Sequence, residues 1–381
     1  MLRRICERSH SREKRDVEEK RGMGGTMKRT LDEIIREPVF FERNRVYRVY
    51  RGGKLFHDLF GDEPRDGHYP EEWIASDVRA LNERENGGER EGISRIENSD
   101  YYLDEILAQA KEEMLGRRKR YGLLLKALDS AVRLPVQAHP DREFSRRHFC
   151  SDYGKTESWI ILAVRENAKL YYGFKEKTDK DMLRKAVRDA EEDRDALAKL
   201  LNCIPVHTGE VYFVPRKMVH AIGEGCLILE VQEATDFTIQ PDVWCGEHRL
   251  SEYEKYLGVA PEEALDCFDY ALYGEEAVKA GKKEPILYQN RNGIRSEHLI
   301  TEADTSCFLV NRHYLADKAV LAAAGPAVYM VLNGSAVLRM GDFQRKIKKG
   351  DYFMIPFCIS RKCRIMGKGG LELIECIPPA E

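Results

Sequence analysis

The sequence predicts a mainly β protein built from two jelly-roll β-barrel units with helical insertions. Short segments rich in Val, Ile, Tyr and Phe recur along the chain, among them SWIILAV, GCLILEVQ and AVYMVLNGSAVLRM, and these residue types favour strands. Gly and Pro separate the segments at short intervals, which is typical of sandwiches and barrels. Residues Gly209–Pro215 and Gly350–Pro356 both spell G, five residues, P. This repeat indicates two copies of one β unit.

The size and charge of the chain limit its partners. At 381 residues, the chain can bury the cores of two or three packed units. A formal net charge of −3 with 33% charged residues is neither the basic composition of a nucleic-acid-binding protein nor that of an acidic disordered chain. The longest apolar stretch, residues 319–332, contains Gly325 and Pro326 and is shorter than the roughly 20 residues of a membrane span. We therefore expect no nucleic-acid partner and no membrane span.

Cysteine usage and the N-terminus bear on the cellular compartment. Ten cysteines are scattered along the chain without a C-x-x-C pair. This spacing favours free thiols in a reducing compartment over a disulfide framework, so we predict a cytoplasmic protein. The N-terminal residues MLRRICERSHSREKRDVEEKR are charged where a secretory signal needs an apolar core. Residues 1–36 are predicted to be a disordered tail or an over-extended start.

Strand-rich and helical segments alternate after this tail. Short strands and turns are predicted from Pro38 onward, with a tight turn at residues 52–53. Residues 101–130 carry apolar residues at helical spacing and predict one helix followed by a buried strand. A second helix is predicted within residues 178–203, with Thr178 as its N-cap. We interpret both helical segments as insertions in the first barrel.

The repeated motif differs between its two copies. A G-x5-P motif followed five residues later by His is the second half of the cupin signature, and His220 stands at this position after Pro215. After Pro356 the corresponding residue is Arg361. The sequence thus predicts two cupin units, of which the first can bind a metal ion and the second cannot. The predicted parts after the tail are a catalytic cupin domain (37–250), a helical connector (251–284) and a metal-free cupin-like domain (285–381).

Four residues form a candidate metal site. Gln137 and His139 in VQAHP are two positions apart, so on a strand their side chains leave the same face. Glu157 opens the segment ESWIILAV, and His220 follows the G-x5-P turn. A lone His is more often a core or surface residue, but these motifs occur together in a fixed order. Two imidazoles, a carboxylate and an amide oxygen suit one Zn²⁺ ion with a coordination position left open for catalysis.

Longer sequence blocks resemble a known family. The blocks LPVQAHPD, GKTESW, LYYGF, GEVYFVPRKMVHAIGEG and EVQEATDFTI are similar to those of the type I mannose-6-phosphate isomerases, especially the short bacterial form. The resemblance covers about residues 40–250, and the C-terminal third is similar only in its cupin character. It implies a zinc-dependent aldose–ketose isomerase that interconverts mannose 6-phosphate and fructose 6-phosphate through an enediol. It assigns the metal to Gln137, His139, Glu157 and His220.

The same resemblance implies further site residues and two departures. Lys126, Lys155, Glu230 and Asp236 match residues of the family's active site, where they are candidates for proton transfer or phosphate contact; outside this context, surface lysines and turn aspartates are the ordinary interpretation. The family has Arg four residues after Asp236, but this chain has Gln240, which lacks the charge and the forked geometry that suit oxyanions.

The second departure is Pro135, which stands where the family usually has Ser. Proline removes a hydroxyl and a backbone donor that could contact a phosphate. Three functions therefore stay open. The first is mannose-6-phosphate isomerisation, the second is isomerisation of another sugar or sugar phosphate, and the third is a metal-holding cupin that senses sugar phosphate without turnover. All three imply a small-molecule sugar ligand.

Overall fold

The computed structural model describes residues 28–83 and 88–380. Most of the segment predicted as an N-terminal tail, residues 1–27, lies outside the described residues. Within the described residues, no helix is both long enough and apolar enough to cross a membrane. All nine cysteines of the described part are free thiols, as their spacing predicted.

Helices and strands follow one another along the whole described chain. The helices are α1 (Leu31–Ile35), α2 (Phe56–Phe60), α3 (Leu103–Gln109), α4 (Lys111–Leu115), α5 (Arg142–Phe149), α6 (Lys180–Asp189), α7 (Glu252–Tyr256), α8 (Pro261–Ala264) and α9 (Gly274–Gly281). The strands are β1 (Val39–Phe40), β2 (Arg45–Val46), β3 (Glu71–Ile74), β4 (Leu123–Asp129), β5 (Glu157–Val164), β6 (Lys169–Phe174), β7 (Leu201–Pro205), β8 (Val211–Val214), β9 (His220–Ile222), β10 (Cys226–Glu233), β11 (Trp244–Cys245), β12 (His248–Arg249), β13 (Lys282–Lys283), β14 (Ile286–Arg291), β15 (Ile294–Ile300), β16 (Leu309–Leu315), β17 (Val320–Ala322), β18 (Ala327–Met340), β19 (Phe343–Lys348), β20 (Tyr352–Ile355) and β21 (Arg364–Ile377).

Two antiparallel β units confirm the predicted fold class. The first barrel consists of a seven-stranded sheet in the order β13-β8-β5-β10-β4-β3-β2 and a three-stranded sheet in the order β7-β6-β9. The second barrel is a nine-stranded sheet whose main path is β1-β20-β18-β21-β16-β15-β14, with β17 paired to β21 and β19 to β18. Strands β11 and β12 form a separate hairpin. Helices α7, α8 and α9 lie in the segment predicted as a connector.

The central strands of the first barrel are buried on both faces. Every residue of β10 is buried, and successive side chains of a strand point to opposite faces. Ile228 packs in the first-barrel core, which also holds Trp159, Tyr172 and Tyr212. Leu229 packs in a second core that includes residues of both barrels. Strand β10 therefore separates the interior of the first barrel from the surface that joins the two barrels.

The core between the barrels makes them one packed structure. Ile160 and Leu229 from the first barrel lie in the same apolar cluster as Val310 and Ile374 from the second. Strand β1, which the sequence assigned to the first domain, pairs instead with β20 of the second barrel. The β1 segment contributes edge pairing to the second barrel before the chain enters the first, which the predicted boundary at residue 37 did not capture.

The tail prediction needs correction at its C-terminal end. Helix α1 lies within residues 1–36, begins after a capping box formed by Thr30 and Glu33, and buries Ile34 and Ile35. Its capped backbone and apolar contacts hold this part of the segment in the fold.

Both helical insertions also differ in detail from the prediction. In residues 101–130 the structure has two short helices, because Ala110 leaves helical geometry with φ −133°; strand β4 follows, as predicted. In residues 178–203 the N-cap is Asp179, whose side chain accepts from the Met182 amide. The Thr178 hydroxyl instead donates to the Glu176 carbonyl.

Candidate active site

One cavity of the first barrel gathers most of the residues predicted for the site. Its volume is ≈ 340 Å³, which suits a small molecule. The lining includes Lys126, Pro135, Gln137, His139, Lys155, Glu157, Glu230, Asp236 and Gln240. His220 does not line the cavity and is fully buried. The structure thus places eight of the nine predicted site residues at one cavity and the ninth against it.

Strand register directs these side chains into the barrel. Lys126 on β4 and Glu230 on β10 are direct neighbours across the antiparallel ladder. Because Ile228 of β10 packs in the first-barrel core, Glu230 two positions later faces the same interior. The backbones of Gln137 and His220 exchange two hydrogen bonds of 2.9 Å, which brings the QxHP segment beside β9.

His139, Glu157 and His220 form a compact group of potential metal ligands. Their ligand atoms all lie within 4.8 Å of one another. His139 Nε2 is 3.0 Å from Glu157 Oε2, and His220 Nε2 is 3.4 Å from Glu157 Oε1. Within residues 28–83 and 88–380, no other group of three or more His, Cys, Asp or Glu side chains has this arrangement.

The hydrogen bonds around both imidazoles fit a bound metal ion. His139 Nδ1 contacts the Phe237 carbonyl at 3.2 Å, and His220 Nδ1 contacts the Met218 carbonyl at 2.8 Å. A carbonyl can only accept, so each Nδ1 carries the proton and each Nε2 presents a lone pair. His220 Nε2 and Glu157 Oε2 are buried and have no hydrogen-bond partner. Buried polar atoms without partners are rare in proteins, and here they converge on one point.

Electrostatics keep these groups in the protonation states that metal ligands need. Burial, together with the charge of Lys155, lowers the pKa of His139 well below its usual value. Burial also lowers the pKa of His220, although the Glu157 carboxylate opposes this. Burial raises the pKa of Glu157, but Lys155 and His220 outweigh it and hold that pKa below its usual value. Neutral imidazoles and an ionised carboxylate are the metal-binding forms.

Lys155 and Glu230 lie directly beside this group. Lys155 Nζ is 3.1 Å from His139 Nε2, 3.2 Å from Glu157 Oε2 and 3.6 Å from Glu230 Oε1. Burial and the neighbouring charge of Glu157 raise the pKa of Glu230. The two carboxyls therefore have opposite pKa shifts, a pattern seen where acid and base roles are divided between neighbours.

Lys126 and Asp236 meet on another side of the cavity, together with two residues that the sequence did not identify. Lys126 Nζ is 3.4 Å from Asp236 and 3.8 Å from Glu71. Arg48 donates to both oxygens of Asp236, at 2.9 and 3.0 Å, and to Glu71 at 3.0 Å. Glu71 also accepts the indole N–H of Trp73 at 2.6 Å.

The sequence offered a signal for only one of these two residues. Glu71 lies in the block PEEWIAS, which resembles the family but has no recognised site motif. Arg48 lies among other arginines in the segment RNRVYRVYR, and nothing in that pattern separates it from a surface residue.

The two departures from the family occupy the cavity wall. Gln240 donates its side-chain amide to the Glu254 carbonyl at 2.8 Å, and its backbone amide to the Lys255 carbonyl at 2.9 Å. Pro135 lines the cavity before Gln137. The Gln240 amide is thus bound to helix α7, and its N–H group is directed to the protein backbone.

Comparisons with known sequences and structures found several proteins that are similar to this chain. The chain is 27% identical to "Mannose-6-phosphate isomerase" of Streptococcus mutans over 331 residues, which are 84% of this chain and 92% of that protein. It is 28% identical to a mannose-6-phosphate isomerase of Bacillus subtilis over 239 residues, 62% of this chain and 70% of that protein. No family profile matches the chain.

Solved structures share the fold over almost the whole chain. The mannose 6-phosphate isomerase structure from Bacillus subtilis has a TM-score of 0.69 at 23% identity and covers 89% of this chain and 99% of its own. A variant of phosphomannose isomerase from Salmonella typhimurium has a TM-score of 0.65 at 15% identity and covers 90% of this chain and 99% of its own. The sequence relatives thus confirm the resemblance found in the motif blocks, and the solved structures show the same fold.

Proposed function

We propose that this chain, a relative of the type I mannose-6-phosphate isomerases, interconverts mannose 6-phosphate and fructose 6-phosphate through an enediol. The observation that carries the proposal is that His139, Glu157, Lys126 and Glu230 line one cavity, with the buried His220 grouped against His139 and Glu157. The names of the sequence relatives supply the reaction. The cytoplasmic location predicted from the cysteine pattern is part of the same proposal.

The metal in this proposal is one Zn²⁺ ion held by Gln137, His139, Glu157 and His220. Bound there, Zn²⁺ supplies a Lewis acid that stabilises negative charge on a substrate oxygen. The donor set of two imidazoles, a carboxylate and an amide is typical of zinc. The carbonyl contacts at both Nδ1 atoms fix the orientation of the imidazoles before any ligand binds.

Proton transfer and charge stabilisation are assigned to different residues of the protein. Isomerisation moves a proton between C1 and C2, so a base must lie beside these carbons. Asp236 is bound on both oxygens by Arg48, whereas the one ion-pair partner of Glu230 among the described residues is Lys155, at 3.6 Å. Glu230 is therefore the proton carrier in this proposal. Lys126 and Lys155 hold positive charge beside the substrate oxygens, where it stabilises the enediolate.

The cations at the cavity support a second candidate, an isomerase of unphosphorylated sugars. Arg48, Lys126 and Lys155 each contact carboxylates, so none of the described Lys or Arg residues in the lining is unpaired. Gln240 gives its amide to the Glu254 backbone. A phosphate group is best held by charge-assisted bonds from uncommitted cations. A sugar hydroxyl needs only neutral donors and acceptors, which the cavity offers.

A coupled assay separates these candidates. Purified protein loaded with zinc is incubated with mannose 6-phosphate, and fructose 6-phosphate is followed, next to an equal series with mannose and other aldoses. His220→Ala is expected to abolish turnover and zinc binding, whereas His207→Ala, an exposed histidine outside the cavity, should change neither. Turnover of mannose alone would favour the second candidate. Zinc-loaded protein that binds mannose 6-phosphate but isomerises no sugar would reject both and indicate a sensor.

A further inference from the structure

Arg48 reaches the candidate site from a part of the chain far from all the motifs. It follows strand β2 and lines the cavity together with His139 and Glu157, two of the predicted zinc ligands. Its side chain is 12% exposed. Its Nη2 donates to both oxygens of Asp236, and its Nε forms a further ion pair with Glu71. A buried arginine with two carboxylate partners at a functional cavity is a costly arrangement unless every charge is compensated.

Four charged side chains alternate in sign around this point. Arg48 and Lys126 are the cations, and each contacts both Glu71 and Asp236. All four side chains are buried or nearly so. We call Arg48, Glu71, Lys126 and Asp236 the charge quartet. Removal of any member leaves an uncompensated charge next to Glu230, which neighbours Lys126 in the strand ladder.

The quartet bears on the departure at Gln240. The resemblance to the isomerase family implies an arginine at that position, where this chain has Gln240, whose amide donates to the Glu254 carbonyl. We infer that Arg48 is a positioning residue of the reaction: from the segment after strand β2 it provides the positive charge missing at Gln240 and fixes Asp236 and Lys126 in their working geometry. This inference rests on the proposed isomerase function.

The hydrogen bonds of Arg48 define how it acts. Its Nε donates to Glu71, its Nη1 to Asn82 at 3.1 Å, and its Nη2 to both oxygens of Asp236. Most of its N–H donors are therefore committed to the protein. Arg48 acts through Asp236 and Lys126, which face the cavity, and its planar guanidinium holds Glu71, Asn82 and Asp236 at once through three different nitrogens, which a lysine cannot do.

Arg45 provides a matched control on the same strand segment. Its side chain is 19% exposed, it pairs with the fully buried Glu72 at 2.7 Å and also with Asp62, and it does not line the cavity. Loss of Arg45 also leaves a buried carboxylate without its cation. A purely structural effect should therefore be similar in Arg45→Gln and Arg48→Gln.

The test compares zinc-loaded wild type, Arg48→Gln, Arg48→Lys, Arg45→Gln, Gln240→Arg and the exchange variant Arg48→Gln/Gln240→Arg. For each protein, kcat, KM, zinc content and Tm are measured. We expect Arg48→Gln to lower kcat about 100-fold, since misplacement of site groups costs this much, with zinc retained. The kcat of Arg48→Lys should lie between the values of Arg48→Gln and wild type. Arg45→Gln should lower Tm by a similar amount but change kcat less than about 3-fold.

The exchange variant gives the sharpest result. If a charge on either wall can hold Asp236, Arg48→Gln/Gln240→Arg should recover at least about one tenth of wild-type kcat, which a purely structural role would not produce. An unchanged kcat in Arg48→Gln, or equal losses in Arg45→Gln and Arg48→Gln, would overturn the inference. If Arg48→Gln does not fold, a wild-type kcat in Arg48→Lys would overturn the inference instead. A wild type without turnover of any sugar rejects the proposed function, and the role of Arg48 with it.

Discussion

The two barrels place different chemistry on equivalent strand positions. In the first barrel Glu157 pairs with Val214, which directly precedes the proline of the G-x5-P motif. In the second, Ala327 pairs with Ile355 at the equivalent place. At the position where β5 carries the predicted zinc ligand Glu157, strand β18 therefore carries the methyl group of Ala327. This methyl group is buried in the core of the second barrel. The other difference, His220 against Arg361, follows the same motif.

A glutamate is kept in both barrels, but its neighbours differ. Glu230 pairs with Trp159 on β5, and Glu375 pairs with Tyr329 on β18 at the equivalent position. Across the other edge, Glu230 neighbours Lys126 and Glu375 neighbours Asn311. In the first barrel this position therefore faces a cation, and in the second it faces an amide.

Neutral donors and an imidazole satisfy Glu375. It accepts from Asn311 at 2.7 Å and from the Tyr329 hydroxyl, and it lies 3.3 Å from His313 Nε2. By contrast, in the first barrel His220 Nε2 has no hydrogen-bond partner, and neither does Glu157 Oε2, which has an ion-pair contact with Lys155. The comparison teaches that the same type of sheet can contain either a fully hydrogen-bonded group of buried polar side chains or an incompletely bonded one. A hydrogen-bond network satisfies the glutamate of the second barrel, whereas the first barrel keeps a group of atoms that could hold a metal ion.

The largest effect should come from making the first barrel resemble the second at the ligand position. Glu157→Ala reproduces Ala327 and removes the carboxylate between the two imidazoles. We expect loss of bound zinc and at least about a 10³-fold decrease in kcat/KM. Metal content is measured by mass spectrometry beside the coupled assay. Stoichiometric zinc and near-normal turnover in this variant would show that Glu157 is not a ligand.

The equivalent glutamates provide a matched pair for catalysis. Glu230→Gln should lower kcat by about 10²- to 10⁴-fold while zinc is retained, because a proton carrier is lost. Glu375→Gln should leave kcat within about 2-fold of wild type, since Glu375 lies in the other barrel. Steady-state kinetics of both variants measure this contrast. Similar activities for the two variants would reject Glu230 as the proton carrier.

The same Glu375→Gln variant should have a pH-dependent effect on stability. Burial raises the pKa of Glu375, but His313 and the hydrogen bonds of Tyr329 and Asn311 lower it below its usual value of 4.5. A carboxyl whose pKa is lower in the folded than in the unfolded chain stabilises the fold at pH values above its unfolded pKa. This stabilisation is lost as the pH falls below about 4.5. At neutral pH we expect a loss of about 1–3 kcal/mol in unfolding free energy. Denaturant unfolding at several pH values should show the difference from wild type shrinking toward acid; a constant difference would contradict the assignment.

The smallest effect is expected from restoring a histidine in the second barrel. Arg361→His recreates the final residue of the cupin signature, but Ala327 still provides no ligand atom. Because Arg361 is exposed, stability should change by no more than about 0.5 kcal/mol, and zinc should stay at one ion per chain. Metal analysis and thermal unfolding check both points. A second bound zinc ion would show that the two barrels are more alike than their registers indicate.

Local patterns predicted the parts of the structure that depend on neighbouring residues. The apolar blocks ESWIILAV, KLYYGF and AVYMVLNGSAVLRM correspond to strands β5, β6 and β18, because strand preference and alternation act within a few residues. The motif spacing also identified Gln137, His139, Glu157 and His220, although their roles stay predictions. Where local signals competed, as at Thr178 and Asp179, the helix began one residue later than predicted.

The sequence by itself determined two β units, of which the first carries the four residues predicted to bind zinc, because a repeat and its motifs can be recognised along the chain. Tertiary structure alone decided which distant groups meet. Arg48 and Asp236 are 188 positions apart, and β1 at the start of the chain pairs with β20 near its end. No local pattern encodes such pairs, because they arise only when barrel closure and the shared core bring separate strands together. The charge quartet is a product of that packing.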